Sequence, residues 1–144
     1  MPRLGEVTTM TQVPINYAAV VVTAIISMVI GAIWYSPPVF GKTWMTLTGK
    51  TPEDMQQGAR NAYAMMFIAA LVLAFVMAHV VRWAGAGSLS GGVKVGITMW
   101  IGFVLTVTSG GVIFEGRPLK LYWLNSGYHF FSLVIGGAIL ARWH

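Results

Sequence analysis

Four apolar runs organise the chain, at residues 15–35, 63–83, 95–114 and 121–140, with polar, glycine-rich or proline-containing stretches between them. Each run is close to the roughly 20 residues that an α-helix needs to cross a hydrocarbon layer about 30 Å thick. The pattern predicts an all-α fold: an integral membrane four-helix bundle, one transmembrane domain over 1–144. A short interfacial segment at 36–60 joins helices one and two.

The ends of the runs carry their own signals. Trp34 and Tyr35 close the first run, where an indole or phenol edge can sit at headgroup level. Pro37 and Pro38 then stop the helix, because neither donates a backbone hydrogen bond and the first biases Ser36 away from helical angles. Phe40, Trp44 and Met45 read as a segment lying along the interface, with Lys42 and Lys50 reaching headgroups. The tetrapeptide T-P-E-D at 51–54 supplies a cap, a proline at the first helical position and two acids against the positive helix end. Helix two is therefore expected to begin near Pro52, to enter the hydrocarbon after Arg60 and to bend at Gly58. The connection at 85–92 reads as a short flexible turn, and the one at 115–120, E-G-R-P-L-K, as a short charged one. Some fourteen residues precede the first run, whose end lacks the small residues of a cleavage site, so it is expected to remain in the mature protein.

Composition agrees with the pattern. The chain is 56% hydrophobic and only 9% charged, with nine basic and four acidic side chains, far from the average of about a quarter charged in soluble domains. The basic residues lie mostly at the edges of apolar runs, which points to anionic lipid headgroups rather than to nucleic acid. With no cysteine, disulfides, thiolate metal sites and cysteine nucleophiles are ruled out. Orientation is weakly marked: Arg3, Arg82, Lys94 and Arg142 share one side, and Lys42, Lys50, Arg60, Arg117 and Lys120 the other. Both termini are expected outside the cytoplasm.

Small or weakly polar residues recur at helical spacing on every run: Thr23, Ser27 and Gly31; Ala69, Ala70 and Ala74; Thr98, Gly102, Thr106 and Ser109; Asn125, His129, Ser132 and Gly136. Such stripes let helices approach closely in lipid, and Gly92-x3-Gly96 is a signal of the same kind. Asn125, Tyr128 and His129 form the most polar cluster inside a run, and His129 is either a functional intramembrane group or a structural hydrogen-bonding one. His79 and His129 differ in depth by about 12 Å at the helical rise, too far apart to be axial ligands of one haem. His79 is placed near Arg82 at the opposite headgroups. Neither a cofactor nor a metal site is expected. Glu115, Arg117 and Lys120 are either a catalytic set acting on a lipid headgroup or an ion pair with headgroup anchors.

The blocks G-A-I-W-Y-S-P-P-V-F-G-K-T-W at 31–44, W-I-G-F at 100–103 and F-E-G-R-P-L-K-L-Y-W-L-N-S-G-Y-H at 114–129 resemble a family of small bacterial four-helix membrane proteins classified only as a domain of unknown function. The resemblance spans about Ile15 to Trp143. It carries over Trp34, Tyr35, Phe40, Gly41, Lys42, Trp44, Trp100, Gly102, Phe103, Asn125 and Tyr128, and treats the first nine or so residues as an extension with Met10 an alternative start. It implies the fold and a bacterial cytoplasmic membrane, and names no activity.

The expected function is that of a non-enzymatic accessory or interaction protein, a small subunit packing in a larger membrane complex or with itself. Its contacts would be membrane lipids and other integral membrane subunits, made through Trp34, Tyr35, Phe40, Lys42, Trp44, Arg117 and Lys120. A small oligomeric transporter or channel using Asn125 and His129 is the alternative, and a headgroup-modifying enzyme at Glu115, Arg117 and Lys120 the third reading.

Overall fold

In the computed structural model, which describes residues 13–144, Asn16 starts the first helix by accepting the Ala19 N–H on its side chain at 3.1 Å. That cap opens α1 (Tyr17–Trp34). Arg3 and Met10 lie outside the described residues. Ser36 is extended ahead of Pro37, as a residue before proline must be. A π-type turn, Pro37–Gly41, follows and is closed by the Gly41 N–H donating to Ser36 O at 2.9 Å. A methyl group on Gly41 would overlap Tyr35 O and come within 2.8 Å of Ser36 C, so only glycine fits this tight return.

The segment expected as an interfacial loop is two short helices, α2 (Lys42–Thr48) and α3 (Pro52–Gln56). The T-P-E-D reading holds in detail: the Thr51 hydroxyl accepts from Asp54 N at 3.2 Å while the Asp54 carboxylate accepts from Thr51 N at 2.9 Å. The expected bend at Gly58 is instead a full break. Gly58 adopts φ +74, a left-handed value that ends one helix and precedes the next. α4 (Ala59–Trp83) is thus a separate element from α3.

The third run is longer than its apolar core implied. Ser88 accepts the Gly91 N–H at 3.1 Å and starts α5 (Leu89–Met99), so Gly91 and Gly92 are helical rather than part of a flexible turn. The span continues through a π segment, Trp100–Leu105, into α6 (Thr106–Ile113). α7 (Leu119–Arg142) completes the chain. Four helices are long and apolar enough to cross a membrane: Tyr17–Trp34, Ala59–Trp83, Leu89–Ile113 and Leu119–Arg142. No strand occurs among the described residues.

Packing is uneven. α1, α4 and α7 enclose a core of small and medium side chains, among them Ala19, Ala24, Ala74, Met77, Ala78, Val81, Leu133 and Leu140. Small residues permit the close backbone approach that drives helix association in lipid. The third span packs on the far side of α7. There, a Cβ on Gly92 would overlap Gly137 O, and one on Gly96 would meet Leu133 O at 2.5 Å. The Gly92-x3-Gly96 signal is therefore a real backbone-to-backbone seam. By contrast, Thr98, Gly102 and Thr106 are exposed, and Gly102 would have nothing within 4 Å of an added methyl. The stripe expected to pack is turned away from the bundle. Ala69 is likewise exposed, whereas Ala74 is buried.

Candidate functional site

The residues that the sequence marked in three separate blocks meet on one stretch of α7. Trp34, at the last turn of α1, donates its indole N–H to Leu124 O at 3.0 Å. Tyr35 donates its hydroxyl to Asn125 Oδ1 at 2.9 Å. Trp100, where the third span widens, donates to Ser126 O at 2.8 Å. Tyr128 returns the bond, its hydroxyl donating to Ser27 O of α1 at 3.3 Å. An aromatic donor on a backbone carbonyl satisfies its polar edge while the ring fills the seam, so each side chain joins two helices without leaving an unpaired buried group.

Ring packing completes the corner. Trp34 lies 4.6 Å from Phe40 and 5.6 Å from Phe131 between ring centres. Tyr35 lies 6.0 Å from Trp44 and 5.6 Å from Tyr128. Phe40 and Trp44, expected along the lipid interface, are folded back onto the end of α1. Lys42 stands exposed beside them. The fit to α7 needs Gly127, where an added Cβ would come within 2.8 Å of Trp34 Cζ2. The sequence reading did not single out Gly127; its signal was an isolated glycine in mid-helix beside the Asn125 and Tyr128 pair.

The π segment is pinned at both ends. Its first residue, Trp100, bonds Ser126, and its last, Leu105, accepts the Tyr122 hydroxyl at 2.8 Å. Ser126 and Tyr122 are one turn apart on α7. π segments commonly mark sites where a helix is held off its regular path, and here two aromatic donors do the holding. Tyr122 was not read as a site residue from sequence.

The expected polar cluster of Asn125, Tyr128 and His129 is divided. Asn125 and Tyr128 turn to α1. His129, half-buried, lies 5.0 Å from the Tyr128 ring and has no hydrogen-bond partner among the described residues. His79 lies between Phe75, edge-on at 4.5 Å, and Trp83, tilted at 5.6 Å between ring centres. Its Nδ1 lies 2.9 Å from Phe75 O, which places a proton on that nitrogen. Glu115 and Arg117 form an ion pair at 2.6 Å with side chains 57% and 62% exposed. The Arg117 stem lies over Gly111, and Lys120 is exposed nearby.

A family model described as "Protein of unknown function (DUF1761)" matches residues 18–141. The match takes in all but the first residue of α1 and the last of α7, the two long helices between them, and the whole aromatic corner. No curated protein and no solved structure matches the chain.

Proposed function

The chain belongs to the family of proteins of unknown function DUF1761, and we propose that it is an integral membrane accessory or interaction protein, without chemistry of its own. On this reading it is a small subunit of a larger assembly, or of a homo-oligomer, in a bacterial cytoplasmic membrane. One observation carries the proposal. Only 6% of the residues in the most apolar stretch of the third span are buried, against 44% for the last helix, because the span packs almost entirely on α7 and presents Thr98, Gly102 and Thr106 outward. Those hydroxyls are satisfied within their own helix, Thr98 on Lys94 O at 2.8 Å and Thr106 on Gly102 O at 2.5 Å. The face is therefore smooth, weakly polar and open to close approach by another helix.

Cross-linking in native membranes tests this. The chain has no cysteine, so Phe103→Cys introduces a single reactive group on the exposed face. A discrete adduct from Phe103→Cys, and none from Tyr63→Cys on α4, supports the proposal; equal adducts from both, or none, contradict it.

The second reading is an oligomeric transporter or channel, favoured by the unbonded His129 half-way along α7. It requires liposome flux that His129→Ala abolishes, and flux unchanged in that variant removes the site.

A further inference from the structure

An open cleft of about 440 Å³ lies between α2 and the start of α3, lined by Lys42, Met45, Thr46, Gly49, Lys50 and Pro52. We propose that this cleft holds the phosphate of an anionic lipid headgroup between the ammonium groups of Lys42 and Lys50. The inference is independent of the third-span reading above.

The local fold assembles the cleft. Lys42, Met45, Thr46 and Gly49 fall at the i, i+3, i+4 and i+7 positions that share one face of a helix. Gly49 then takes φ +70, with the Lys50 N–H donating to Met45 O at 3.1 Å. This turn brings Lys50 back to the face that Lys42 begins, and a methyl added at Gly49 would meet nothing within 4 Å, so the space beside it is open. The Thr46 hydroxyl hydrogen is committed to Lys42 O at 3.0 Å, leaving the two ammonium groups as the donors of the site.

Charge complementarity selects the occupant. The one ion pair among the described residues joins Glu115 to Arg117, so among those residues Lys42 and Lys50 have no carboxylate at ion-pair distance. The acids nearest in sequence are Glu53 and Asp54; the Asp54 carboxylate is held by the Thr51 N–H and is stabilised only in the last instance by Lys50. Two cations on one cleft need an anion, and its position chooses among anions. After the Pro37–Gly41 turn, α2 follows the end of the membrane-length helix α1, and Trp34 and Tyr35 at that end, with Trp44 on α2, are of the types that settle at headgroup level. Lipid phosphates occupy that level, and each lysine near it adds roughly fivefold to binding of an anionic surface. Met45 supplies an apolar wall for the glycerol end of the same molecule.

The test uses the full-length protein in detergent, titrated with phosphatidylglycerol or phosphatidylcholine and read by native mass spectrometry. Wild type retains phosphatidylglycerol over phosphatidylcholine. Lys42→Ala and Lys50→Ala each weaken retention about fivefold and the double variant about 25-fold, while Lys42→Arg, and Lys94→Ala at an exposed lysine outside the cleft, leave it unchanged. Retention unaltered in the double variant overturns the proposal, as does an equal loss in Lys94→Ala, which indicates diffuse surface charge. Displacement of the lipid by an equimolar amount of inorganic phosphate also overturns it, since the occupant is then a free anion.

Discussion

Trp34 and Leu124, separated by 90 positions in sequence, are joined by a 3.0 Å bond from the indole N–H to the backbone carbonyl. Gly127, less than one turn further along α7, leaves room for the indole ring. The pair fixes the end of α1 against α7 and sets the place where the chain turns into the aromatic corner.

Trp34→Phe removes the N–H, worth about 0.6 kcal/mol and at most roughly 1.7, and with it part of the indole that lies on Gly127, so the whole change is expected to cost about 1–3 kcal/mol. Gly127→Ala drives a methyl into the ring and is expected to cost about 1–3 kcal/mol. The two changes touch the same contact, so their costs should not add, and the double variant should lose less than the sum. Reversible unfolding in detergent measures all three. Simple additivity would mean that the ring does not occupy the Gly127 surface.

The two glycine faces of the third span predict opposite outcomes. Gly92→Ala puts a methyl within 2.7 Å of Ala141 Cβ and into the Gly137 backbone, with no flexible side chain to yield. A loss of about 3 kcal/mol or more is expected. Gly102→Ala meets open space, so the isolated chain should be unaffected or gain up to about 1 kcal/mol from reduced backbone freedom in the unfolded state. Thermal unfolding of the two purified variants decides it.

Thr23 is 3% exposed, and its hydroxyl has no hydrogen-bond partner among the described residues. Replacing an unsatisfied buried hydroxyl by a methyl should relieve its desolvation cost. Thr23→Val is therefore expected to raise stability by about 1 kcal/mol, read by the same unfolding assay. A loss of that size would show that the hydroxyl is bonded in the membrane.

The interfacial α3 cap gives a pH dependence. The Thr51 N–H, and after it the Thr51 hydroxyl, hold the Asp54 carboxyl below its ordinary range, with Lys50 adding least. A lowered folded-state pKa means that the cap's contribution is fully present above the ordinary carboxylate pKa and is lost as pH falls through the lowered one. The protection factors of the Thr51 and Met55 amides, with exchange taken relative to the intrinsic rate at each pH, should fall over that acidic window in wild type. In Asp54→Asn the protection should be low and flat across the same pH range.

Much of this architecture was legible in sequence. Run length gave four spans, Pro37 and Pro38 gave the end of α1, and T-P-E-D gave the α3 cap, because each is set by local backbone chemistry. What escaped was set by partners. Gly92 read as turn material until Ser88 capped a helix ahead of it and Gly137 supplied a surface to meet. The stripe at Thr98, Gly102 and Thr106 has the spacing of a packing face, yet spacing does not say which of a helix's faces finds a neighbour. The π segment depends on Trp100 and Tyr122 reaching α7, a contact with no local signature. Trp34, Tyr35, Asn125 and Tyr128 were marked individually. Their convergence depends on α1 and α7 lying side by side, which run lengths alone do not specify.

The central claim is that the exposed third span belongs against another protein. The most direct measurement is the mass and composition of the particle extracted from native membranes in a mild detergent. The account predicts a particle larger than the 15.6 kDa chain, containing a stoichiometric partner or further copies of the chain, and dispersed by Gly102→Leu while the chain itself stays folded. A particle holding one chain and lipid alone, unchanged by Gly102→Leu, would contradict it.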